Sequence, residues 1–485
     1  MELFPYRRGT TEVDAIIRAA APMGDKEILA LEVQEFLKSP ERKEAIDGEN
    51  YYLNHTVIRS KKRTLANGEE LKNRANHRLE HAFYPKMVDE LVGYLCSKLP
   101  SITSNADSAA RRKAHEEAIG KIIDESFWRV FSRWCKNAVN HGCSWLFPYI
   151  DKDGSLRFSN IAGYEVRALW RDGDHQECDG VIRVYDVIEY VKKTKMLVTH
   201  VDYVTTNGIA EFVYENGALT PIRSERGNGH FYLPQEDGTA QARVWDRLPA
   251  IPLRFNDVEQ PLISRVRANI DAYNLCASNF ADMLADLPLA IVKVVGYQDD
   301  PDTTLRNLKQ LSVVYLQEGG DAGYITPDLA TDSVETQLTR IRRDIFSFGA
   351  GVDGQDDGQQ NRSGVALAEK RSDLDIIANI FENQIQAAFR EVIWFVSRYL
   401  LLIGGENYTD CEITLTLNRD IMTNESAVIT ACKESVGILP DVQIRANHPW
   451  SNDNTEALWQ EQENGSAEDE EPFAVKAATD ETDNE

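Results

Sequence analysis

The sequence predicts an α+β fold in which helical blocks flank a mostly antiparallel β region. Three observations predict it. Apolar residues recur every three or four positions before residue 142 and again after residue 260, as in amphipathic helices. Between these blocks, short runs alternate apolar and polar residues and are separated by Asn-Gly and Asp-Gly turns, as in β-hairpins. After residue 260, two helical patterns enclose a short strand–helix–strand module.

Length and composition are those of a globular protein with an acidic surface. The chain has 485 residues, 53 of them basic and 78 acidic, for a net charge of −25, and 42% of its residues are hydrophobic. Because affinity for phosphates comes from Lys and Arg contacts, this balance excludes a general basic surface for nucleic acid. The segment 461–485 has ten acidic residues and one lysine, so we expect a disordered tail.

Neither a membrane segment nor disulfides are expected. The most apolar stretch, 392–403, contains Ser397 and Arg398 and is far shorter than the roughly 20 residues of a spanning helix. The N-terminus has no apolar run after its charged residues, unlike a signal peptide. Seven cysteines, a small and odd number, indicate reduced thiols in a cytosolic setting. We therefore expect a soluble protein with no membrane partner.

The first 141 residues are predicted to be largely helical. Residues 1–45 have a weak helical pattern that ends at Pro40. Residues 76–99 carry an apolar residue at every fourth position, and 106–141 read as one further helical stretch. The basic patch at 59–63 is interpreted as a solvated turn in preference to a nucleic-acid contact.

The β region follows. A hairpin is predicted over residues 144–158, with Asp153-Gly154 in its turn. Asn207-Gly208, Asn216-Gly217 and Asp237-Gly238 mark further turns. The remaining strands are predicted at 181–190, 196–204, 211–214 and 244–246.

From Pro261 the pattern predicts a helix of about 25 residues, with Pro261 in its first turn. Its apolar positions are Leu262, Val266, Ile270, Tyr273, Ala277, Phe280 and Leu284. A second helix is predicted over 334–348. The module between them consists of a strand at 290–296, a helix at 302–311 and a strand at 312–316. Two long helices that carry a small module form a stalk with a head.

The rest of the chain begins with a Gly-rich polar segment, 349–364, predicted to be a flexible loop. A long helix over 365–403 follows, and Gly404-Gly405 ends it. A strand is predicted at 412–418 and a short helix at 424–435.

Catalytic signatures are absent. The sequence contains no phosphate loop of the GxxxxGK[ST] type, no HExxH and no GxSxG. The Gly-rich segment carries Asp353, Asp356 and Asp357, which would repel a phosphate. Counted as a calcium loop from Asp353, its twelfth position is Gly364, where a bidentate Glu is required. We therefore predict a protein without enzymatic activity and without a cofactor or metal.

One thiol–imidazole grouping is a candidate zinc site: Cys135, His141, Cys143, His175 and Cys178. Its spacings fit no closed tetrahedral framework. The interpretation that we favour is a set of buried structural thiols.

Several segments, in order over about residues 50–450, resemble motifs of phage portal proteins. These are the head-to-tail connectors of tailed double-stranded-DNA bacteriophages, here of the siphophage type. Residues 1–45 have no counterpart, and the late strand has Asn418-Arg419 where the family has Arg-Asn. The matching segments are Val88–Leu95, Tyr149–Gly154, Leu248–Pro252 with Ile270–Asn274, Ser363–Leu367, and Thr416–Arg419 with Asn424-Glu425.

The resemblance implies a portal fold and a homo-oligomeric ring, commonly of twelve subunits, around a channel. Double-stranded DNA would be packaged and ejected through this channel at one vertex of the virion capsid, after assembly in the host cytoplasm. The implied partners are the terminase at the clip, head-completion adaptor proteins, and the scaffolding and major capsid proteins at the wing. The implied parts are a wing (46–256), a first stem helix (257–286), a clip (287–332), a second stem helix (333–349), a tunnel loop (350–362), a long wing and crown helix (363–405), and a wing strand with the crown (406–460).

The resemblance also implies which residues face DNA. In the tunnel loop they are Gly351, Asp353, Gly354, Gln355, Asp356, Asp357, Gly358, Gln359, Gln360, Asn361 and Arg362. The second stem helix carries Arg340, Arg342 and Arg343. These arginines either meet DNA or a neighbouring subunit's carboxylates, or they complement the dipole at the C-terminus of their helix. The sequence leaves both interpretations open.

Two alternatives compete with the portal hypothesis. One is a metal-dependent phosphoesterase or nuclease that uses the acidic loop and the Cys/His grouping. The other is a different virion assembly protein that shares only a helical stalk.

Overall fold

The computed structural model describes residues 11–18, 24–72, 74–96, 98–191, 194–222, 228–234, 240–286, 291–297, 300–311, 315–325, 331–353, 364–418, 425–438, 444 and 448. The chain divides into two compact units, Met1–Asp357 with Lys370–Asp420, and Gly358–Glu369 with Ile421–Glu485. Helices and antiparallel sheets alternate in blocks, so the predicted α+β class is confirmed. Among the described residues, no helix has the length and apolarity that a membrane span requires.

Three helices begin the described chain: α1 (Glu12–Arg18), α2 (Lys26–Lys38) and α3 (Pro40–Tyr52). The pattern that predicted α2 also predicted its end at Pro40. That proline in fact begins the next helix, where the missing N–H of a proline costs nothing. The side chain of Ser39 caps α3 by accepting a hydrogen bond from the amide of Arg42 at 3.2 Å.

Helix α4 (Phe83–Cys96) begins later than the predicted Asn76, and the prediction for 76–82 is wrong. Residues 77–81 are extended, because their backbone amides donate to side chains of another helix, described below. Leu79, part of the four-residue pattern, is 38% exposed. After α4, strand β1 (Ser101–Ser104) follows.

The single helical stretch predicted over 106–141 is two helices, α5 (Ala109–Gly120) and α6 (Glu125–His141). Asp124 separates them, because its side chain accepts from the amide of Phe127 at 2.9 Å and so caps α6. Gly142 ends α6 at φ +81, where a Cβ would lie 1.9 Å from the carbonyl oxygen of Glu259.

Two antiparallel sheets form the β region. The first has the order β11-β2-β3, from β2 (Cys143–Ile150), β3 (Leu156–Ile161) and β11 (Ile251–Arg254). The second has the order β4-β5-β6-β7-β8. Its strands are β4 (Val166–Trp170), β5 (Cys178–Val191), β6 (Thr194–Thr205), β7 (Gly208–Glu215) and β8 (Ala218–Pro221).

The predicted hairpin turn at Asp153-Gly154 and the two Asn-Gly turns are confirmed by these strand ends. A two-stranded ribbon of β9 (Phe231–Pro234) and β10 (Ala240–Arg243) follows. The strand predicted at 244–246 is wrong, since β10 ends just before it. Asp237-Gly238 lies outside the described residues.

The predicted stalk is present as α7 (Ile263–Asp286) and α9 (Thr331–Phe348), which pack against each other. Between them lie β12 (Ile291–Tyr297), α8 (Pro301–Leu311) and β13 (Leu316–Ile325). The second strand of this module begins at Leu316, where the predicted strand was to end, and residues 312–314 lie outside the described part of the chain. Antiparallel pairing with β12, not β propensity, makes this Gly-rich segment a strand.

Helix α10 (Gly364–Leu402) confirms the long predicted helix, and Gly404 at φ +80 ends it. Strand β14 (Ile413–Thr416) pairs with β1, and α11 (Glu425–Glu434) is the predicted short helix. In the second unit, the Cys432 thiol donates to the carbonyl oxygen of Ile444 at 3.8 Å.

Within the described residues, the first unit has three apolar cores, the smallest of which lies around Trp145 and Trp170. The largest joins α4, α6, α7, α9, α10 and the first sheet, and its fully buried side chains include Met87, Phe131, Trp134, Phe381 and Phe389. The second core lies between the five-stranded sheet and helices α1 and α2. Each core takes residues from segments far apart in sequence, so each forms only when the elements assemble.

A buried histidine connects α5 to the β1–β14 pair. His115 is 0% exposed, its Nδ1 lies 2.9 Å from the Ser104 hydroxyl, and its ring stacks on Tyr408 at 4.2 Å. Burial, and then the nearby Arg111 guanidinium, lower the pKa of His115 below its ordinary value. The folded protein therefore holds this side chain neutral.

We expect acid to destabilise the fold through His115. The unfolded chain takes up a proton at the ordinary histidine pKa of about 6.5, whereas the folded chain does so only at lower pH. The free energy of unfolding should therefore decrease as the pH falls below about 6.5. Urea unfolding midpoints at pH 7.5 and 5.5 measure the effect. His115→Gln should lose less stability than the parent between these two pH values, and equal losses would contradict the prediction.

Candidate functional site

Hydrogen bonds at the C-terminus of α9 hold the start of the Gly-rich segment. Helix α9 ends with the amides of Ala350 and Gly351 donating to the carbonyl oxygens of Ser347 and Phe346, at 3.4 and 2.9 Å. Ala350 takes the left-handed conformation at φ +51. These two bonds are a Schellman motif, which pairs carbonyls that a helix end otherwise leaves free.

The chain leaves α9 against the side chain of Met87 on α4. A Cβ on Gly349 would lie 2.3 Å from the Met87 sulfur, and one on Gly351 would lie 2.8 Å from its Cγ. Both glycines therefore permit a close approach of backbone to α4. Of the predicted tunnel-loop residues, Gly351 and Asp353 are described. The others, Gly354, Gln355, Asp356, Asp357, Gly358, Gln359, Gln360, Asn361 and Arg362, lie outside the described residues.

Residues Val352 and Asp353 are held by three charged side chains, which we call the loop clamp: Lys86, Glu90 and Arg342. Arg342 binds Asp353 through two parallel hydrogen bonds, Nε to Oδ2 at 2.8 Å and Nη2 to Oδ1 at 2.7 Å. Lys86 Nζ donates to the carbonyl oxygen of Val352 at 2.8 Å. The amide of Val352 donates to Glu90 Oε2 at 3.1 Å. The clamp thus ties the first residues of the loop to both α4 and α9.

Two aromatic rings lie beside the Arg342 guanidinium of the clamp. The Arg342 guanidinium lies 5.8 Å from the ring centroid of Phe83 and 5.5 Å from that of Phe346. The two rings meet edge to face at 5.8 Å. Each side chain of the Arg342–Asp353 pair is 22% exposed. The hydrogen bonds to Asp353 raise the pKa of Arg342, so the guanidinium stays charged at every physiological pH.

The three stem arginines, Arg340, Arg342 and Arg343, have different surroundings. Arg342 faces the loop and binds Asp353 of its own chain, which neither interpretation anticipated. Arg340 and Arg343 are exposed and line an open groove of about 680 Å³ along α9. The other lining residues are Asp332, Glu335, Thr336 and Thr339. The exposed side of α9 is therefore acidic toward its N-terminus and basic toward its C-terminus.

The predicted buried face of α7 is confirmed in the first half of the helix, where Val266 and Ile270 are buried, and is wrong in the second half. Its first buried residues are apolar, but the last three are Asn274, Ser278 and Asp282, all at most 3% exposed. Leu284, counted in the predicted apolar stripe, is 44% exposed. The spacing predicted the helix and the first half of its buried face correctly. It missed the second half, because residues from another segment form hydrogen bonds with the polar side chains there and cover them.

Those partners are the backbone amides of every second residue in the extended segment 77–81. We call the hydrogen bonds between this segment and the polar side chains of α7 the polar seam. The Leu79 amide donates to Ser278 Oγ at 2.9 Å. His77 uses its amide and its ring Nδ1 on Asp282 Oδ1, at 2.7 and 2.8 Å. His81 does the same with Asn274 Oδ1, at 3.1 and 2.8 Å.

The seam fits because two spacings coincide. Four residues of α-helix rise about 6.0 Å, and two residues of a strand rise about 6.6 Å. Side chains at every fourth position of α7 therefore meet amides at every second position of an extended chain. Since buried polar groups must be hydrogen-bonded, the match fixes the rotation of α7 about its axis.

The basic patch at 59–63 belongs to the same seam. Lys61 Nζ lies 2.7 Å from Asp282 Oδ2, with side chains 9% and 4% exposed. Arg63 Nη2 lies 3.0 Å from Asp286 Oδ2 at the end of α7. The interpretation of the patch as a solvated turn is wrong for these two residues, since carboxylates of α7 bind them.

The Cys/His grouping forms no metal site within the described residues, where no cluster of three or more candidate ligands occurs. His141 Nε2 lies 3.1 Å from Glu49 Oε2, and His175 Nδ1 lies 3.0 Å from Glu259 Oε1. Burial raises the pKa of the Cys143 thiol and raises that of Cys178 to about 12, which disfavours the thiolate that binds metals.

Loss of the Arg342–Asp353 pair should loosen the start of the loop. In Arg342→Gln we expect amide hydrogen exchange to accelerate about tenfold at Gly351 and Val352, because the clamp no longer holds Asp353. Arg343→Gln, one residue away and exposed, is the matched control and should exchange like the parent. Exchange–mass spectrometry of peptides covering 346–353 measures the difference. Equal rates in both variants would show that the pair does not hold the loop.

Comparisons with known proteins agree on one family. The family model described as "Phage portal protein, SPP1 Gp6-like" matches residues 38–471. The portal protein of Bacillus phage SPP1 is 24% identical over 474 residues, covering 94% of this chain and 90% of the relative. The portal protein of Clostridium phage phiCD119 is 25% identical over 436 residues, covering 86% and 91%.

A solved structure, the neck of an empty GTA particle computed with C6 symmetry, aligns over 78% of this chain and 90% of its own. Its TM-score is 0.42 and its identity 10%. The family match begins at the last residue of α2 and includes the stalk, the loop clamp and α10. The chain therefore belongs to the SPP1 Gp6-like family of phage portal proteins.

Proposed function

We propose that this chain is the subunit of a closed portal ring, through which double-stranded DNA is packaged into and ejected from a phage capsid. The observation that carries the proposal is the continuous path from α7 through the small module to α9 and into the clamped loop, in a chain of the portal family. A ring of such subunits presents the stalks around a channel and the loops toward it. The role is structural, without catalysis.

We assign the parts of a portal subunit to this chain in sequence order. We assign 46–256 and the strand at 412–418 to the wing, 257–286 and 333–349 to the stem, and 287–332 to the clip. The tunnel loop is 350–362, and 363–405 and 406–460 build the upper wing and crown. Support comes from the stalk, whose two helices pack together and enclose the β12–α8–β13 module.

The tunnel loop is suited to DNA that slides. Between 350 and 362 the sequence has three aspartates and one arginine, and Arg342 engages Asp353 at the start. Each Lys or Arg that binds a phosphate adds affinity through counterion release, and affinity opposes sliding. A loop with few cations therefore guides DNA without holding it. Arg340 and Arg343, exposed on α9, are stem groups available to DNA or to a neighbour's carboxylates.

The partners follow from the parts. We assign terminase and, after packaging, the head-completion adaptors to the clip, and the scaffolding and major capsid proteins to the wing. The mature location is one vertex of the virion capsid, and assembly takes place in the host cytoplasm.

Negative-stain electron microscopy of the purified full chain, with its mass by light scattering, tests the ring. We expect rotationally symmetric particles, with twelve subunits the commonest number, and a central hole about 20 Å wide or more, the width of duplex DNA. A compact closed dimer without a channel would contradict the proposal.

Charge reversal in the loop tests its role. In Asp356→Lys/Asp357→Lys we expect normal rings but less DNA packaged per particle, because two new cations per subunit hold phosphates and slow sliding. The defect should lessen as salt rises. Glu215→Lys, exposed at the end of β7, is the control and should package normally. Failure of the loop variant to form rings would show that this segment is an assembly element instead.

A further inference from the structure

Three basic side chains follow one another along the outer side of α6. Arg129, Arg133 and Lys136 lie four and three residues apart, on successive turns of the helix. Residues at these spacings are neighbours, and like charges placed so destabilise a helix. In a chain with a net charge of −25, such a row is a local exception. An anion bound between the cations would offset their mutual repulsion.

The row lines a groove of about 370 Å³ between α6 and the end of α3. The other lining residues are Glu49, Tyr52, Ser132 and Asn137. In protein–DNA complexes, Arg, Lys, Ser, Asn and Tyr side chains are among the groups that contact phosphate and sugar. We call this groove the α6 cradle.

The two arginines are the cations of the cradle that a ligand can reach. Both Arg129 and Arg133 are exposed. In the part of the chain that the structure describes, neither takes part in a hydrogen bond, an ion pair or a ring contact. A guanidinium carries five N–H donors in a planar fork, whose geometry matches two oxygens of a phosphate.

The carboxylates near the cradle leave this positive charge in place. Glu49 Oε2 lies 3.1 Å from His141 Nε2. Asp89 of α4 neutralises the lysine of the row, since its Oδ1 lies 2.7 Å from Lys136 Nζ. Glu125, one helical turn before the first arginine, forms no ion pair within the described residues. The charge that remains for a ligand is therefore that of the two arginines.

We propose that the α6 cradle binds phosphates of double-stranded DNA outside the channel, through Arg129 and Arg133. The inference rests on the proposed function and adds a second DNA contact to it. Helix α6 lies in the segment assigned to the wing, apart from the stem and the tunnel loop. A cation in the channel would slow sliding, whereas a contact outside it can hold DNA without that cost.

Duplex DNA fits the cradle better than an acidic polypeptide does. A duplex carries one charge per roughly 1.7 Å of its axis, whereas an extended polypeptide carries at most one per residue of roughly 3.3–3.6 Å. One long duplex can also meet the cradles of several subunits of a ring, and this multivalency strengthens a weak single contact. At physiological salt the Debye length is about 8 Å, so the distant negative charge of the chain is largely screened.

Covalently closed circular DNA tests the cradle, because a circle has no end that could enter a closed channel. Binding of a plasmid to the full-length protein is measured by gel shift at about 0.1 M salt, with ring formation checked by microscopy. We expect Arg129→Gln/Arg133→Gln to need about tenfold more protein for half-binding. Its salt slope should fall by roughly 1.8 per subunit in contact, because two phosphate contacts are lost.

The matched control removes the same charge elsewhere. Lys26 and Lys195 are exposed on α2 and β6, so Lys26→Gln/Lys195→Gln should bind the circle like the parent. Equal binding by the two double variants would overturn the inference. The cradle variant should also melt no lower than the parent, because it loses a repulsion within α6. A lower melting temperature would show that the arginines serve the fold instead.

The assembly state separates this inference from the proposed function. Parent rings that fail to bind the circle would overturn the cradle and leave the ring intact. A cradle variant that no longer forms rings would show that the arginines bind a neighbouring subunit, and it would also overturn the inference. A monomeric parent that binds the circle through these arginines would support the cradle and contradict the ring.

Polyglutamate tests the choice of ligand. Added to the parent with bound circle, it should displace the DNA only when its charge is in large excess, because its charges are spaced further apart. Displacement at equal charge would show that the cradle takes acidic polypeptides, which contradicts the inference.

Discussion

The polar seam between residues 77–81 and α7 is the constraint on which the stalk depends. A buried amide without a hydrogen-bond partner costs about 1–3 kcal/mol. Hydrogen bonds between these amides and the side chains of α7 avoid that cost. Their pairing sets the rotation of α7, delays the start of α4 to Phe83, and brings the basic patch at 59–63 onto the end of the stalk helix.

The seam continues into the loop clamp through aromatic rings. The ring of His81, which binds Asn274, lies 4.7 Å from that of Tyr273 on α7, and Tyr273 lies 4.9 Å from Phe83 at the start of α4. Phe83 in turn meets Phe346, and the guanidinium of Arg342 lies over both. Side-chain contacts therefore join the first stalk helix, α4, the second stalk helix and the start of the loop.

Several basic side chains of this acidic chain form ion pairs or hydrogen bonds within the fold. Lys61 and Arg63 bind the end of α7, Lys86 and Arg342 bind the loop, and Arg111 binds Asp410 beside β14. These cations serve the fold and leave the surface acidic. For the function that we propose, such an allocation leaves fewer phosphate-binding groups free along a path on which DNA must slide.

By itself the sequence determined the elements whose pattern is periodic and local. The stalk helices, α10, the hairpin at Asp153-Gly154 and the Asn-Gly turns were predicted because helical spacing and turn chemistry act over a few residues. The order of its segments also identified the family. Only the tertiary structure decided what depends on partners outside the local pattern: the polar second half of the buried face of α7, the extended residues 77–81, the late start of β13, and the pairing of Arg342 with Asp353 of its own chain. These features depend on hydrogen bonds and ion pairs between residues up to about two hundred positions apart. A local sequence pattern carries no information about such partners.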